Sequence, residues 1–224
     1  MTYSQYMTYG HIKEKDMGTT ERRNRERKQR EEQIVNAAEK VFFERGFDNS
    51  TMDDVAGAAE LSKGALYTYF KTKNELCICI VSRALALVLA GFEKVSADKK
   101  LNGLKMIGEA GRAFQHFYRT NPKYYCALLS YRHHRGGCGA ESRFLQHTLK
   151  ENDRINELLA SMLRKGMADG SIRGNIDAGK MALTLWGELG GLIPGFILNG
   201  EDPDSRDLFE HALELICCGL SNKK

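Results

Sequence analysis

The sequence has little proline and no long uncharged apolar run. Three prolines in 224 residues leave room for long helices, because proline breaks a helix interior. The apolar stretch 76–92 is interrupted by Arg83, and the stretch 178–198 contains Lys180 and Glu188. A membrane-spanning helix needs about 20 predominantly apolar residues. We therefore expect a protein with no membrane partner.

The sequence also lacks the marks of a secreted or zinc-binding protein. Residues 1–17 are polar and aromatic, without the apolar core of a signal peptide, so we expect a cytoplasmic protein with reduced thiols. The spacing of its six cysteines does not match a zinc module. Cys126 and Cys138 stand alone. We expect the other four to be buried apolar side chains: Cys77, Cys79, Cys217 and Cys218.

A metal or catalytic site has one weak candidate, at two adjacent histidines. On a helix, His133 and His134 point about 100° apart and do not chelate one ion together. A thiol sensor at Cys138 requires an exposed thiolate, and only Arg135 brings positive charge nearby. We expect a solvated loop here, with no metal and no cofactor. An all-helical enzyme that uses these side chains is the least favoured function.

Apolar residues recur at helical spacing along most of the chain, and no useful run alternates as a strand does. Ile34, Ala38 and Phe42 mark the first helix, and Gly46 ends it. We therefore predict an all-α fold. Beyond residue 100 the predicted helices are 101–119, 122–133, 141–167, 177–192 and 203–220. Pro194 should kink or end the last apolar stretch before residue 198.

Two short helices with a tight turn between them follow the first helix. They span residues 52–59 and 63–70, and Thr51 and Ser62 supply their N-caps. Three helices in this order form the helix-turn-helix, whose second short helix enters the DNA major groove.

A long helix comes next in the sequence. Thr72 and Glu75 predict a capping box at its start, in which both side chains satisfy backbone donors.

The second short helix has side chains that suit DNA. Leu66 and Phe70 are four residues apart and face inward. The remaining positions supply a lysine for phosphate or base edges, a glycine for close backbone approach, and hydroxyls that bond phosphate. They are Lys63, Gly64, Tyr67, Thr68 and Tyr69. The backbone N–H groups from Ser62 onward favour an anion.

Three strings within residues 43–76 are specific. They are Phe43-Glu-Arg-Gly-Phe47, Thr51-Met-Asp-Asp-Val-Ala56 and Ser62-Lys-Gly-Ala-Leu-Tyr-Thr-Tyr-Phe-Lys-Thr-Lys73, the last followed by Glu75-Leu76. Together they resemble the DNA-binding domain of the tetracycline-repressor (TetR-type) family of bacterial regulators. The resemblance implies base-reading positions at Lys63, Gly64, Ala65 and Thr68. It implies phosphate-contacting positions at Thr51, Tyr67, Tyr69 and Lys73.

The resemblance also implies an organisation and a partner for the whole chain. We expect a flexible tail at 1–21, a DNA-binding domain at 22–76, and an effector-binding and dimerisation domain at 77–224. The implied protein is a homodimer, paired through its last two helices, with its recognition helices in successive major grooves of a pseudo-palindromic operator. Residues 166–173 with Asp177 resemble the family's turn between helices seven and eight. One departure is Glu60, since the family usually has glycine in that turn. We expect Glu60 to adopt a positive φ there, at a cost of about 1 kcal/mol.

Basic residues are concentrated in two places, although the net charge is only +4. Segment 22–30 has six basic residues and one acid, and segment 61–74 has three lysines and no acid. The first cluster can reach flanking backbone or the minor groove as an N-terminal arm. A solvated helix start is the alternative.

The larger domain offers apolar residues with polar tips for an effector pocket. The candidates are Met106, His116, Tyr118, Tyr124, Tyr125, Tyr131, Trp186 and Phe196. Core packing is the alternative for each of them. The preferred function is a repressor released from its operator by a small molecule, and a DNA-binding regulator without an effector is the second hypothesis.

Overall fold

Nine α-helices make up the part of the chain that the structure describes. The computed structural model describes residues 18–135, 138–197 and 204–222. The helices are α1 (Thr19–Arg45), α2 (Met52–Ala58), α3 (Lys63–Tyr69), α4 (Lys73–Ala97), α5 (Gly103–Thr120), α6 (Pro122–Arg135), α7 (Arg143–Ala168), α8 (Ala178–Ile197) and α9 (Asp204–Leu220). Within these ranges the extended structure is one isolated bridge, between Ile172 and Ser221. The predicted all-α class is confirmed.

Two sequence expectations about helix ends need revision. Residues 1–17 of the expected tail lie outside the described residues, whereas its last three residues form the first turn of α1. The expected end of the helix at Pro194 is wrong, because α8 continues to Ile197. Loss of one backbone hydrogen bond does not oblige a helix to stop. A kink at Pro194 stays a prediction.

Two main apolar cores lie at the two ends of α4. The smaller core joins α1, α2 and α3 to the first turns of α4, through Ile34, Val55, Leu66, Phe70, Leu76, Cys77 and Ile80. The larger core joins the rest of α4 to α5, α6, α7, α8 and α9, through residues such as Phe92, Phe114, Ile155, Leu185 and Phe209. The division at residues 76 and 77 stays a prediction, since α4 runs through it without a break.

By length and composition, α4 is apolar enough to cross a membrane, and among the described residues it alone passes that test. Most of its apolar window is buried inside the protein. Burial on this scale identifies α4 as a core helix.

Two glycines allow α5 and α7 of the larger domain to pack closely at one end. A Cβ atom on Gly103 would lie 2.0 Å from the backbone nitrogen of Gly166, so α5 and α7 meet in backbone contact. The turn after α7 has Gly170 at a φ of 77°. Asp177 then accepts hydrogen bonds from the N–H groups of Gly179 and Lys180 at 2.9 and 3.1 Å. The turn expected between helices seven and eight is therefore present.

The expectation that four cysteines are buried is only partly correct. Cys77 is buried, Cys79 and Cys217 are half-buried, and Cys218 is exposed. Cys218 is wrongly predicted because it follows Cys217 by one residue, a rotation of about 100° that carries it to the outer side of α9.

The turn between α2 and α3 is a Schellman motif with an unusual residue in it. The N–H of Leu61 donates to the carbonyl of Ala56 at 2.9 Å, and the N–H of Glu60 donates to the carbonyl of Gly57 at 3.1 Å. Glu60 occupies the left-handed position of the motif, with a φ of 54°. The strain expected from its sequence position is therefore present, and α3 is oriented by this turn.

Replacing Glu60 with glycine should stabilise the protein. The left-handed conformation costs a non-glycine residue about 1–2 kcal/mol. Glycine also gives the unfolded chain more conformational entropy, which lowers the stability of the protein by about 0.4–1 kcal/mol. The difference predicts that Glu60→Gly raises the free energy of unfolding by about 0.5–1 kcal/mol, measured by chemical denaturation. Glu60→Gln is the control, since it removes the charge and keeps the strain. An equal gain for both variants would assign the effect to charge.

Candidate DNA-binding site

The recognition helix α3 has one face in the core and one face in solvent. Leu66 and Phe70, on the inner side, are fully buried. Ser62 is the N-cap, and its hydroxyl accepts the N–H of Ala65 at 3.2 Å. Three of the predicted DNA-contacting residues on α3 are exposed (Lys63, Gly64 and Thr68), and three are half-buried (Ala65, Tyr67 and Tyr69). The inward and outward faces predicted for this helix are confirmed.

Thr51 begins α2 with a full capping box. Its hydroxyl oxygen accepts the N–H of Asp54 at 3.1 Å, and the Asp54 carboxylate accepts the N–H of Thr51 at 2.8 Å. The Thr51 hydroxyl and Arg45 also donate to this carboxylate, at 2.6 and 2.7 Å. These hydrogen bonds from Thr51, together with Arg45, hold the pKa of Asp54 below its usual value. Sequence reasoning identified the N-cap and missed Asp54, because the common pattern has Glu or Gln at that position.

The capping box predicted at Thr72 is only half formed. The Thr72 hydroxyl accepts the N–H of Glu75 at 3.2 Å, as predicted. The Glu75 carboxylate, however, accepts the N–H of Lys71 at 2.6 Å in place of the Thr72 N–H. It also accepts a hydrogen bond from Ser142 at 3.2 Å, a contact with the larger domain that local spacing does not reveal.

Lys63 has an acidic partner on the neighbouring helix. Its ammonium lies 2.9 Å from the Asp53 carboxylate, and both side chains are 62% exposed. The hydrogen bond and the charge of Asp53 raise the pKa of Lys63. An exposed pair of this kind is weak, so phosphate can replace Asp53 as the partner of Lys63 at small cost.

Lys73 is bound to the protein itself. Its ammonium donates to the backbone carbonyls of Phe47 at 2.7 Å and Ser50 at 2.8 Å. It also lies 4.2 Å from the centre of the Phe47 ring. These contacts fasten the loop between α1 and α2 to the start of α4. The phosphate contact expected for Lys73 stays a prediction.

Arg83 joins the helix-turn-helix to the larger domain. It lies on α4, with its side chain 9% exposed, and donates to three side chains of α1. The acceptors are Glu39 at 2.7 Å, Glu32 at 2.8 Å and Asn36 at 2.7 Å. An arginine fork with this many partners fixes the angle between α1 and α4.

Helices α6 and α7 also contact the DNA-binding unit. Tyr124 of α6 meets Phe43 of α1 edge to face, with ring centres 5.3 Å apart. Phe144 of α7 stacks on Phe70, the residue that ends the recognition helix, at 4.8 Å. Arg143 beside it forms an ion pair with Glu31 of α1. The recognition helix is therefore in direct contact with the larger domain.

Five of the predicted pocket residues lie in or beside the larger core. Met106 and Tyr125 are buried within it, and Tyr118, Tyr124 and Trp186 pack against it. The Tyr118 and Tyr125 rings are 4.9 Å apart, and Phe114 contacts both Tyr125 and Trp186. Within the described residues, the buried Tyr125 hydroxyl has no hydrogen-bond partner. An unpaired buried hydroxyl is costly and marks a place for a polar group.

The other predicted pocket residues do not lie in this aromatic group or are not described. His116 is exposed, which corrects its placement in a pocket wall. It follows the buried Phe114 by two residues, about 200° around the helix. Tyr124 lies between the two cores and also contacts Phe43 of α1. The side chains of Tyr131 and Phe196 lie outside the described residues.

The metal and sensor candidates gain no support. The described side chains include no group of three or more His, Cys, Asp and Glu residues that could hold a metal ion. The side chains of His133 and His134 lie outside that set. Cys138 packs with Ile78 and Leu145, and burial raises the pKa of its thiol to about 11. A thiol with that pKa is a poor nucleophile at neutral pH.

Comparison with known proteins decides the family. Residues 34–78, which contain the buried half of α1, both short helices and the start of α4, match the family described as bacterial regulatory proteins, tetR family. Residues 34–78 therefore form a DNA-binding domain of the tetR family. The match covers the DNA-binding unit, which is the part whose sequence strings carried the resemblance.

The proteins that match over most of the chain are more distant in sequence. The chain is 23% identical over 198 residues to the fatty acid metabolism regulator protein of Bacillus subtilis, covering 85% of this chain and 95% of that one. A TetR-family regulator from Pectobacterium atrosepticum has a TM-score of 0.70 at 24% identity, covering 88% and 97%. FadR from Bacillus subtilis, solved with stearoyl-CoA, has a TM-score of 0.66 at 18% identity, covering 84% and 98%. These structures show that the fold of the larger domain is also shared.

The contacts of Lys73 predict a structural role for this residue in the tetR-family domain. Lys73→Met should lower the free energy of unfolding by about 1.5–3 kcal/mol, because two carbonyls lose a charged donor. Lys71→Met is the matched control, since Lys71 is exposed and its ammonium donates to one described acceptor, the Tyr67 carbonyl, at 2.9 Å. Thermal and denaturant unfolding measure both variants. Unchanged stability with a weaker salt dependence of DNA binding would instead support the phosphate role of Lys73.

Proposed function

We propose that the chain is a transcriptional repressor that binds a pseudo-palindromic operator as a homodimer and is released by a small-molecule effector. The observation that carries the proposal is the exposed face of α3, where Lys63, Gly64 and Thr68 stand on a capped three-helix unit. Such a face fits the major groove, and its residues suit phosphate and base edges. A protein of this kind works where the chromosome is, in the cytoplasm or nucleoid.

Each residue of the DNA-binding unit has a distinct proposed role. Lys63, Gly64, Ala65 and Thr68 face the bases. Tyr67 and Tyr69, half-buried beside them, offer hydroxyls to phosphate. Thr51 offers its hydroxyl by exchanging Asp54 for phosphate, and the backbone N–H groups after Ser62 are further donors. Lys73 contributes by holding the loop before α2, and its ammonium meets phosphate only at the margin of the interface.

The homodimer is proposed to form through α8 and α9. These helices carry three large apolar side chains that are exposed in the single chain: Leu183 at 61%, Leu208 at 50% and Leu215 at 60%. Leu208 and Leu215 are seven residues apart on one face of α9, whereas Phe209 and Leu213 are buried in the core. A second copy seated on this face places two recognition helices on one operator. Their spacing must then be about 34–36 Å or a multiple of it.

Selection of duplexes from a random DNA pool tests the DNA-binding proposal. The full-length chain should enrich a pseudo-palindrome whose half-sites are about 10 base pairs apart or a multiple of that. Lys63→Ala should weaken binding about tenfold and reduce the slope of log affinity against log salt by about 1. Tyr67→Phe should weaken binding and leave the slope unchanged, because it removes no charge.

Lys94→Ala is the control for this experiment. Lys94 is exposed near the end of α4, so the variant removes one charge at a distance from α3. It should bind the selected duplex as the wild type does. Equal losses for Lys63→Ala and Lys94→Ala would contradict the assigned role of Lys63. A chain that enriches no duplex would refute the proposed function.

The effector is proposed to be an acyl-CoA bound beside the aromatic residues of the larger domain. Tyr118, Tyr125 and Trp186 present apolar surface there, and the Tyr125 hydroxyl has no partner among the described residues. An acyl chain suits the apolar surface, and a thioester carbonyl suits the hydroxyl. The Bacillus subtilis FadR structure, which contains stearoyl-CoA, supports this chemical class for a related fold.

Adjacent residues of α6 offer a route from this site to the DNA. Tyr125 packs against Phe114 and Tyr118, while its neighbour Tyr124 packs against Phe43 of α1. Burial, followed by a hydrogen bond to Glu39 of α1, raises the pKa of the Tyr124 hydroxyl. An effector that displaces Tyr125 therefore also displaces Tyr124, and with it α1. Because α1 is bound to α4 through Arg83, this movement changes the spacing of the two recognition helices in the dimer. This coupling requires that the effector bind the two states with different affinity.

Tyr125→Phe tests the effector proposal. The variant should be as stable as the wild type or more stable without ligand, because it removes a buried unpaired hydroxyl. It should bind stearoyl-CoA about tenfold more weakly, measured by thermal shift and by release of the selected duplex. Coenzyme A and free stearate are the controls.

Two outcomes would redirect the proposal. Wild-type affinity in Tyr125→Phe would make Tyr125 a core residue only. No thermal shift of the wild type with stearoyl-CoA would remove this class of effector and favour the second function, a DNA-binding regulator controlled by another signal.

A further inference from the structure

Helix α1 extends well beyond the core that it helps to form. Residues 20–30 are all exposed, and the first fully buried residue is Ile34. Twelve residues separate Arg22 from Ile34, which is a length of about 18 Å. The exposed part has six basic residues and one acid between residues 22 and 30. A polar helical segment outside the core is marginally stable in water and adds little to the stability of the fold. The extension is therefore better explained by a binding role.

The extension and the end of α3 form the two walls of a groove. Its volume is about 700 Å³. Arg23, Arg27 and Arg30 line it from α1 together with Glu26, and Thr68 and Tyr69 line it from α3. Three bases against one acid make the groove positive, and its α3 wall belongs to the recognition helix.

Arg27 is held in place at this groove in the free protein. Its Nε–H donates to Glu31 at 3.0 Å, and its guanidinium lies 5.6 Å from the centre of the Tyr69 ring. A guanidinium has five N–H donors, and Nε–H is the one that meets Glu31. The terminal nitrogens are therefore oriented by the protein before any ligand binds, which lowers the entropic cost of recognition.

We propose that this groove holds one sugar–phosphate strand of the operator, next to the base pairs read by α3, with Arg23, Arg27 and Arg30 contacting its phosphates. This inference rests on the proposed function. The helical extension thus lengthens the protein's contact with DNA beyond the recognition helix. The polyanion also neutralises the repulsion among the extension's own basic residues. Guanidinium groups suit phosphate oxygens because they donate two parallel hydrogen bonds.

The sequence provides a matched control on the same helix. Arg23, Arg27 and Arg30 follow the helical spacing of one face and line the groove. Arg22, Arg25 and Lys28 lie at the alternate positions, and none of them lines it. Three positive charges can therefore be removed from either face, so that the two variants have the same net charge. Glutamine is the replacement, because it keeps a high helix propensity.

The experiment compares the triple variants R23Q/R27Q/R30Q and R22Q/R25Q/K28Q of the full-length chain. Each is measured against a duplex that the wild type selects from random DNA, extended by 10 base pairs on each side. The groove variant should reduce the slope of log affinity against log salt by about 2–3, and the control variant by less than about 1. Hydroxyl-radical footprinting should lose the protected sugars that flank the half-site in the groove variant only.

Each outcome decides the proposal. Equal slope changes and equal footprints for the two triple variants would overturn it, because diffuse charge would then explain the attraction. Loss of footprint only on A·T-rich flanks, with competition by the minor-groove ligand netropsin, would place the arginines in the minor groove and also overturn it. A wild type that selects no duplex refutes the proposed function itself, which is a different result.

A single substitution keeps the test valid if the triple variant unfolds. Circular dichroism checks that α1 remains helical in every variant. Arg27→Gln removes the contacts to Glu31 and Tyr69, so its loss can disturb the helix. Arg30→Gln and Lys28→Gln then form the pair for comparison. Arg30→Gln should reduce the salt slope by about 1, Lys28→Gln should leave it near the wild-type value, and equal slopes would overturn the proposal.

Discussion

One helix, α4, belongs to two apolar cores, and the remaining architecture depends on that sharing. Leu76 and Ile80 are buried against the helix-turn-helix, whereas Val88 and Phe92 are buried within the larger domain. Arg83 lies between them and binds three side chains of α1 through its guanidinium group. Arg83 is the buried member of this network, so loss of its carboxylate partners would leave a buried guanidinium short of acceptors, which is destabilising. The recognition helix therefore has little freedom to turn unless α4 or its contacts with α1 change. This constraint allows an event in the larger domain to reach DNA.

Cations of the DNA-binding unit already have partners in the free protein. Lys63 pairs with Asp53, Arg27 pairs with Glu31, and Lys73 binds two backbone carbonyls. Binding of DNA then requires an exchange of partners at the exposed positions, whereas the half-buried Lys73 already has two backbone acceptors. Exposed pairs contribute little to stability, so the exchange is inexpensive where phosphate has access. The same view explains why the modest net charge of +4 says little about the partner. The location of each charge, and what holds it, decides what it can bind.

Local sequence patterns predicted a large part of the fold and of the DNA-binding face. Helical spacing, the N-caps Thr51 and Ser62, and the inward residues Leu66 and Phe70 agree with the structure. These features depend on residues within about one or two helical turns of each other. The left-handed conformation of Glu60 was expected from the resemblance to the family, which usually has glycine in that turn. Errors arose where a residue's environment is set from a distance. The example is Glu75, whose carboxylate accepts a hydrogen bond from Ser142, 67 residues away.

The sequence by itself determined the helix-turn-helix and its family, since caps, spacing and the strings around α3 are local and specific. Tertiary structure alone decided which residues meet across the chain. It brought Arg83 of α4 into contact with Glu39 of α1, and it stacked Phe144 against Phe70. It also left the Tyr125 hydroxyl without a partner among the described residues and placed Arg27 of α1 beside Tyr69. No local pattern contains these contacts, because they join residues whose separation along the chain carries no periodic signal. They form when several helices bury their apolar faces together, and the packing then fixes which polar groups come into contact.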